Sequence, residues 1–134
     1  MNDLTLPHDH DTARHLAHLE AELLRVNRFE RVADIFKRLS DTTRVRVFWL
    51  LCHTEQCVIN IAALLDMSSP AVSHHLRALR SCGLIVSRRE GKEVYYRAAD
   101  TTQAQLLHET IEQVMPRSHL QYIYRWKPQR PRSA

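Results

Sequence analysis

The chain has 134 residues, 44% hydrophobic and 25% charged, with a formal charge of +4; this is the balance of one soluble globular domain, not of two with separate cores. No apolar run approaches the roughly 20 residues that cross a bilayer, and the polar, His- and Asp-rich start lacks the apolar stretch of a secretory signal. Two glycines and five prolines are too few for an all-β sandwich or a glycine-rich phosphate loop, and three cysteines without framework spacing point to a reducing cytoplasm.

Residues 1–11 read as a flexible arm, 12–115 as the folded region and 116–134 as a basic tail. Within 12–26, Leu16, Leu19, Leu23 and Val26 recur at three- and four-residue spacing, which predicts an amphipathic helix. Residues 29–39 repeat the pattern through Val32, Ile35, Phe36 and Leu39. Ser40 and Asp41 then supply a stop and an N-cap for a third helix from Thr42 to His53, whose Val45, Val47, Phe48, Leu50 and Leu51 predict burial. A short apolar helix is predicted over 58–65. Residues 66–69 read as a turn ending in a cap, with Pro70 at the first helical position, where its missing N–H costs nothing. The helix it opens runs to about Arg80, with Val72, Leu76 and Leu79 inward and Gly83 as its terminator. The period then changes. Residues 84–88 and 93–97 are rich in β-formers and flank Arg89-Glu90-Gly91-Lys92, which predicts a hairpin. Residues 101–115 return to helical spacing through Ala104, Leu107, Ile111 and Val114. The order predicts a mainly α chain with a small β-hairpin wing: a winged helix–turn–helix.

Charge is distributed in alternating blocks. Residues 1–68 carry −2, 69–97 carry +4, 98–116 carry −3 and 117–134 carry +5. A basic block within the folded part suits a phosphate-contacting surface, since each neutralised phosphate releases counterions; a merely solvated basic face is the bland alternative. A recognition helix presents short polar side chains near its N-terminus to the major groove. Ser69, Ser73, His74 and Arg77 lie there, opposite Val72, Leu76 and Leu79. Arg88, Arg89 and Lys92 cluster at the hairpin and are expected to reach phosphates or the minor groove, with Glu90 and Glu93 diluting the effect. The expected partner is an operator in double-stranded DNA. No glycine elbow surrounds Ser73, and neither a His-Glu-x-x-His pair nor a phosphate loop occurs, so an enzyme is not expected. A winged-helix protein–protein adaptor is a further alternative, disfavoured because it has no reason to gather arginines on helix and wing.

Four segments in this order and spacing carry a resemblance: Leu39-Ser40-Asp41-Thr42-Thr43-Arg44, then Met67-Ser68-Ser69-Pro70-Ala71-Val72-Ser73-His74-His75-Leu76, then Gly83-Leu84-Ile85, then Gly91-Lys92-Glu93-Val94-Tyr95-Tyr96. Across roughly residues 28–115 the chain resembles the ArsR/SmtB family of small homodimeric bacterial repressors, which leave their operators when an effector, commonly a metal ion, binds. The resemblance implies a homodimer formed through the N- and C-terminal helices. It favours His74 over His75 for contact with DNA.

The resemblance also implies sensing positions. Where the family often has Cys-Val-Cys and a following Asp, this chain has Cys57-Val58-Ile59-Asn60. A neutral amide is a poor ligand for a soft or borderline cation. A site of Cys57 and His53, one turn apart if the helix continues, completed by His8 and His10 of the arm, would suit Zn(II) or another transition metal as effector. No metal is expected to be required for the fold. The family's closing-helix site finds Asp100 but then Thr102, Gln113 and Pro116, so it is expected to be absent; His108 and Glu112 are one turn apart and form a pair, either across a dimer axis or at the surface. A thiol-responsive repressor of the same fold is the alternative, with Cys52 read as a buried hydrophobe and Cys82 as the reactive thiol.

Overall fold

The computed structural model describes residues 6–8 and 13–115. In chain order these form α1 (Ala13–Leu23), α2 (Val26–Arg38), α3 (Thr42–His53), β1 (Gln56–Cys57), α4 (Val58–Leu65), α5 (Ser69–Ser81), β2 (Ile85–Glu90), β3 (Glu93–Ala98) and α6 (Thr102–Val114). His10 and the basic tail lie outside the described residues. Two compact units divide the chain, one ending at Ile35 and the other beginning at Phe36. In the first, Leu19, Leu23, Val26, Phe29 and Val32 of α1 and α2 are exposed among the described residues.

The second unit is a winged helix–turn–helix. Its core joins Val47, Phe48 and Leu51 of α3 to Ile61 of α4, Val72, Leu76 and Leu79 of α5, Leu84, and Ile85 of β2, all at most 1% exposed. The starts of α3, α5 and α6 are each closed by a side chain that takes up an orphan N–H group, whereas α4 follows Cys57 with no side-chain cap. The Asp41 carboxylate accepts from the Arg44 amide at 3.0 Å, Ser68 Oγ from Ala71 at 3.3 Å and Thr101 Oγ1 from Ala104 at 3.2 Å. The helix ends are as local. Asp66, left-handed at φ 53, closes α4 in place of the usual glycine, and Gly83 (φ 79) follows α5, its N–H on the Arg80 carbonyl.

Two expectations need correction. Ser69, not Pro70, is the first residue of α5, because Ser68 is the residue whose hydroxyl reaches the helix amides. The wing also has three strands. β1 pairs antiparallel with β3, Gln56 opposite Tyr96 and Cys57 opposite Tyr95, giving the order β1-β3-β2. Two residues carry no periodicity, so β1 is a strand only because the edge of β3 lies beside it. Gly91, the first of two turn residues between Glu90 and Glu93, has φ 61, where a type II′ hairpin favours glycine. No described helix is long and apolar enough to cross a membrane.

The amide of Arg44 holds the Asp41 carboxyl below its ordinary range, so the cap stabilises α3 above that range and loses its effect as acid protonates it. Asp41→Ala is expected to lower the unfolding free energy by about 1 kcal/mol at neutral pH, and Asp41→Asn to restore most of it. In urea melts the wild type and Asp41→Ala should converge once the pH falls below the folded-state value.

Candidate nucleic-acid interface

The azimuth of α5 follows from its apolar spacing. Val72, Leu76 and Leu79 point inward with no more than 1% exposure, while Ser69, His74 and Arg77 are exposed and Ser73 is half-buried. All four polar residues expected to face DNA therefore avoid the buried seam. The first turn of α5 keeps few amides for a ligand: Pro70 has no N–H, Ala71 donates to Ser68 Oγ and Val72 to the Ser68 carbonyl, so its outward chemistry lies in the side chains.

Beside this face lies an open groove of about 340 Å³ lined by Arg38, Arg44, His74, Arg77, Ala78 and Ser81. Three of the six are arginines. Arg44, in the first turn of α3, donates from Nε to His75 Nδ1 at 3.1 Å and sets its Nη2 3.4 Å from His74 Nε2. His75 is thereby fixed as an acceptor beneath the helix, and burial pushes its pKa down. His74 remains on the outer side. Sequence reasoning missed Arg44 and Arg38 as members of this surface. Arg44 sits three residues after the Asp41 cap, on the turn that the cap orders, which was the available signal.

On the wing the three basic residues part company. Arg89 and Lys92 are exposed at the hairpin tip. Arg88 donates from Nε to Glu55 Oε1 at 2.9 Å and from Nη1 to Glu90 Oε2 at 2.7 Å, with its guanidinium carbon 4.7 Å from the centre of the Tyr95 ring. These carboxylates raise its pKa further. Arg88 is opposite Tyr95 in the β2–β3 register, which explains the stacking. Glu55 precedes β1, and the β1–β3 pairing carries it towards Arg97, 3.9 Å from Arg97 Nε. The Arg88–Glu90 contact also relieves the facing pair Glu90 and Glu93.

The expected metal-ligand set does not assemble as a helix turn. α3 ends at His53, and Thr54 is extended (φ −152, ψ 143), so Cys57 falls on β1 instead. Asn60 donates its amide to Gln56 Oε1 at 3.0 Å. His8 is exposed in the unit that ends at Ile35. His53 instead meets α6. Its Nε2 lies 3.0 Å from His108 Nε2 and 3.5 Å from Glu112 Oε1, and His108 Nε2 is 3.2 Å from that same oxygen. Trp49 Nε1 donates to Glu112 Oε1 at 2.8 Å. The His108–Glu112 pair is thus formed within one chain, between a buried imidazole and a half-buried carboxylate. Burial pushes both imidazoles down in pKa, against the pull of Glu112, so both favour the neutral form. Cys52 is buried beside them, and burial together with Glu112 pushes its thiol well up, away from thiolate reactivity. Cys82 donates its thiol to the Leu79 carbonyl at 3.4 Å.

The comparisons agree with this architecture. A family model described as "Bacterial regulatory protein, arsR family" matches residues 41–87, from the cap of α3 into β2. A transcriptional repressor SmtB homolog of Synechocystis sp. is 37% identical over 103 residues, covering 72% of this chain and 78% of the relative. A cadmium resistance transcriptional regulatory protein CadC homolog of Staphylococcus aureus is 42% identical over 81 residues, 60% of this chain and 67% of its own. Among solved structures, a homodimeric winged helix-turn-helix DNA-binding domain from Mycobacterium bovis has a TM-score of 0.59 at 29% identity, covering 81% of this chain and 89% of that one.

Glu55→Gln removes the charge that anchors the Arg88 side chain. It is expected to lower stability and to speed amide exchange at Tyr95 and Tyr96. Protection factors unchanged along β3 would show that the pair does not hold the wing.

Proposed function

Because the chain belongs to the ArsR/SmtB family of bacterial transcriptional regulators, we propose that it is a homodimeric, sequence-specific repressor released from its operator by a metal ion. The observation that carries the DNA reading is the outer face of α5, where Ser69, Ser73, His74 and Arg77 stand opposite a fully buried apolar seam. Such side chains suit base edges and phosphates of the major groove. Arg38 and Arg44 extend the surface as phosphate contacts, and Arg89 and Lys92 add the wing. Arg88 acts differently from the sequence expectation: it holds the hairpin through Glu55 and Glu90, and so positions its two neighbours.

The homodimer is supported by apolar side chains left uncovered in one chain, Leu23, Phe29 and Phe36 on the first two helices and Leu106 and Val114 on α6. A single recognition helix also buries too little surface for tight operator binding, and two paired modules read two half-sites. The name of the Staphylococcus aureus relative ties that protein to cadmium resistance, and this chain has a donor set of its own to offer a cation in His53, His108 and Glu112. A bound cation would supply charge and cross-linking there, while the chain's residues orient the donors and exclude water.

The test is binding, by fluorescence anisotropy, to DNA from upstream of the protein's own gene. Arg77→Ala should cost about 1–3 kcal/mol on that site and narrow the gap to random DNA. Arg89→Ala should weaken binding to all sequences alike and reduce the salt slope by about 1. Unaltered affinity and salt slope in both variants would place the interface elsewhere.

A further inference from the structure

We infer that His53, His108 and Glu112 form a cation site within one chain, between the end of α3 and the face of α6, and that its ligand is a borderline divalent ion of the zinc class. The inference deepens the metal-released reading above and rests on it for its regulatory meaning, but ion binding itself is independent of DNA. The three donor atoms stand 3.0, 3.2 and 3.5 Å from one another. Ligands at tetrahedral angles and bond lengths of about 2.0–2.1 Å are separated by about 3.3 Å. The cluster therefore already has the dimensions of one face of a zinc tetrahedron. Without an ion, a proton shared between His53 Nε2 and His108 Nε2 holds the two rings together beside Glu112 Oε1, and an ion would take that proton's place among the same three atoms.

Composition agrees with spacing. Two imidazoles and a carboxylate suit zinc, cobalt or nickel over magnesium or calcium, and leave a fourth position for water or another donor. Helix geometry builds the site: His108 and Glu112 are four residues apart on one face of α6, and His53 is the last residue of α3. Their side chains are 10%, 2% and 18% exposed, so an ion here would meet fixed donors with little competing water. Trp49 donates to the same oxygen, Glu112 Oε1, that faces the imidazoles, and so fixes the carboxylate in place. These ligands differ from the closing-helix positions Asp100, Thr102, Gln113 and Pro116, which cannot assemble one. The site also has a route to the proposed DNA-facing surface: α3 ends at His53 and carries Arg44 in its first turn, whose guanidinium contacts His74 and His75 of α5.

The experiment uses the full chain carrying Cys57→Ser, so that thiol coordination at that position cannot contribute. The chelator-stripped protein is titrated with zinc against a chromophoric competitor and with cobalt(II) by visible absorption. One ion per chain is expected, with a four-coordinate cobalt spectrum lacking a thiolate charge-transfer band. Adding Glu112→Gln or His53→Gln should weaken zinc at least about a hundredfold, and Trp49→Phe about tenfold. Circular dichroism must match the parent; His108, the most buried ligand, is left intact for that reason. Zinc affinity unchanged by Glu112→Gln and His53→Gln, or no zinc bound in the Cys57→Ser parent, would overturn the site. Metal-free operator binding is measured in parallel. Its loss in the parent chain would count against the regulator reading alone.

Discussion

The rotation of α5 about its own axis is the constraint on which the other features depend. Val72, Leu76 and Leu79 are buried against helices α3 and α4, and each such side chain contributes about 1.5–3 kcal/mol relative to exposure. Turning the helix by one residue, about 100°, would expose that seam and drive an imidazole and a guanidinium into a core that offers them no water. Polar burial without partners costs several kcal/mol more. The outer face of Ser69, His74 and Arg77 is thus held by what lies behind it. Interior packing, rather than any contact among the polar residues, sets their direction.

Helix α3 serves three surfaces at once. Its first turn, ordered by the Asp41 cap, presents Arg44 to the histidines of α5. Its middle supplies Val47, Phe48 and Leu51 to the core. At its far end Trp49 and His53 meet Glu112 and His108 of α6. Twelve residues span about 18 Å, so one rigid element joins the groove to the buried polar cluster. Coupling between two sites requires that each favour one arrangement of a shared element, and α3 is the element they share. The wing is tied to the same region by Glu55, just beyond the helix end, through Arg88.

Local physics made most of the fold legible. The apolar periods of α3, α5 and α6, the Asp41 cap and the glycines at 83 and 91 all act over a few residues, and the helices, hairpin and outer face of α5 follow from them. What escaped is what two distant segments create together. β1 exists because β3 is beside it, and Glu55 reaches Arg88 only through that pairing. His53 was placed with Cys57 by assuming a continuous helix, yet the chain turns at Thr54 into the sheet. Its true neighbour, His108, is 55 residues away, and no spacing rule connects them. Arg88, Arg89 and Lys92 are alike in charge, and only the geometry separates the tether from the exposed pair.

The most direct measurement of the central claim is an amide chemical-shift titration of the labelled protein with duplex DNA from upstream of its gene. The account predicts the largest shifts at Ser69, Ser73, His74 and Arg77, with a second group at Arg89 and Lys92. Shifts concentrated on the outer side of α4, at Ile59 and Leu64, with α5 unmoved, would contradict it.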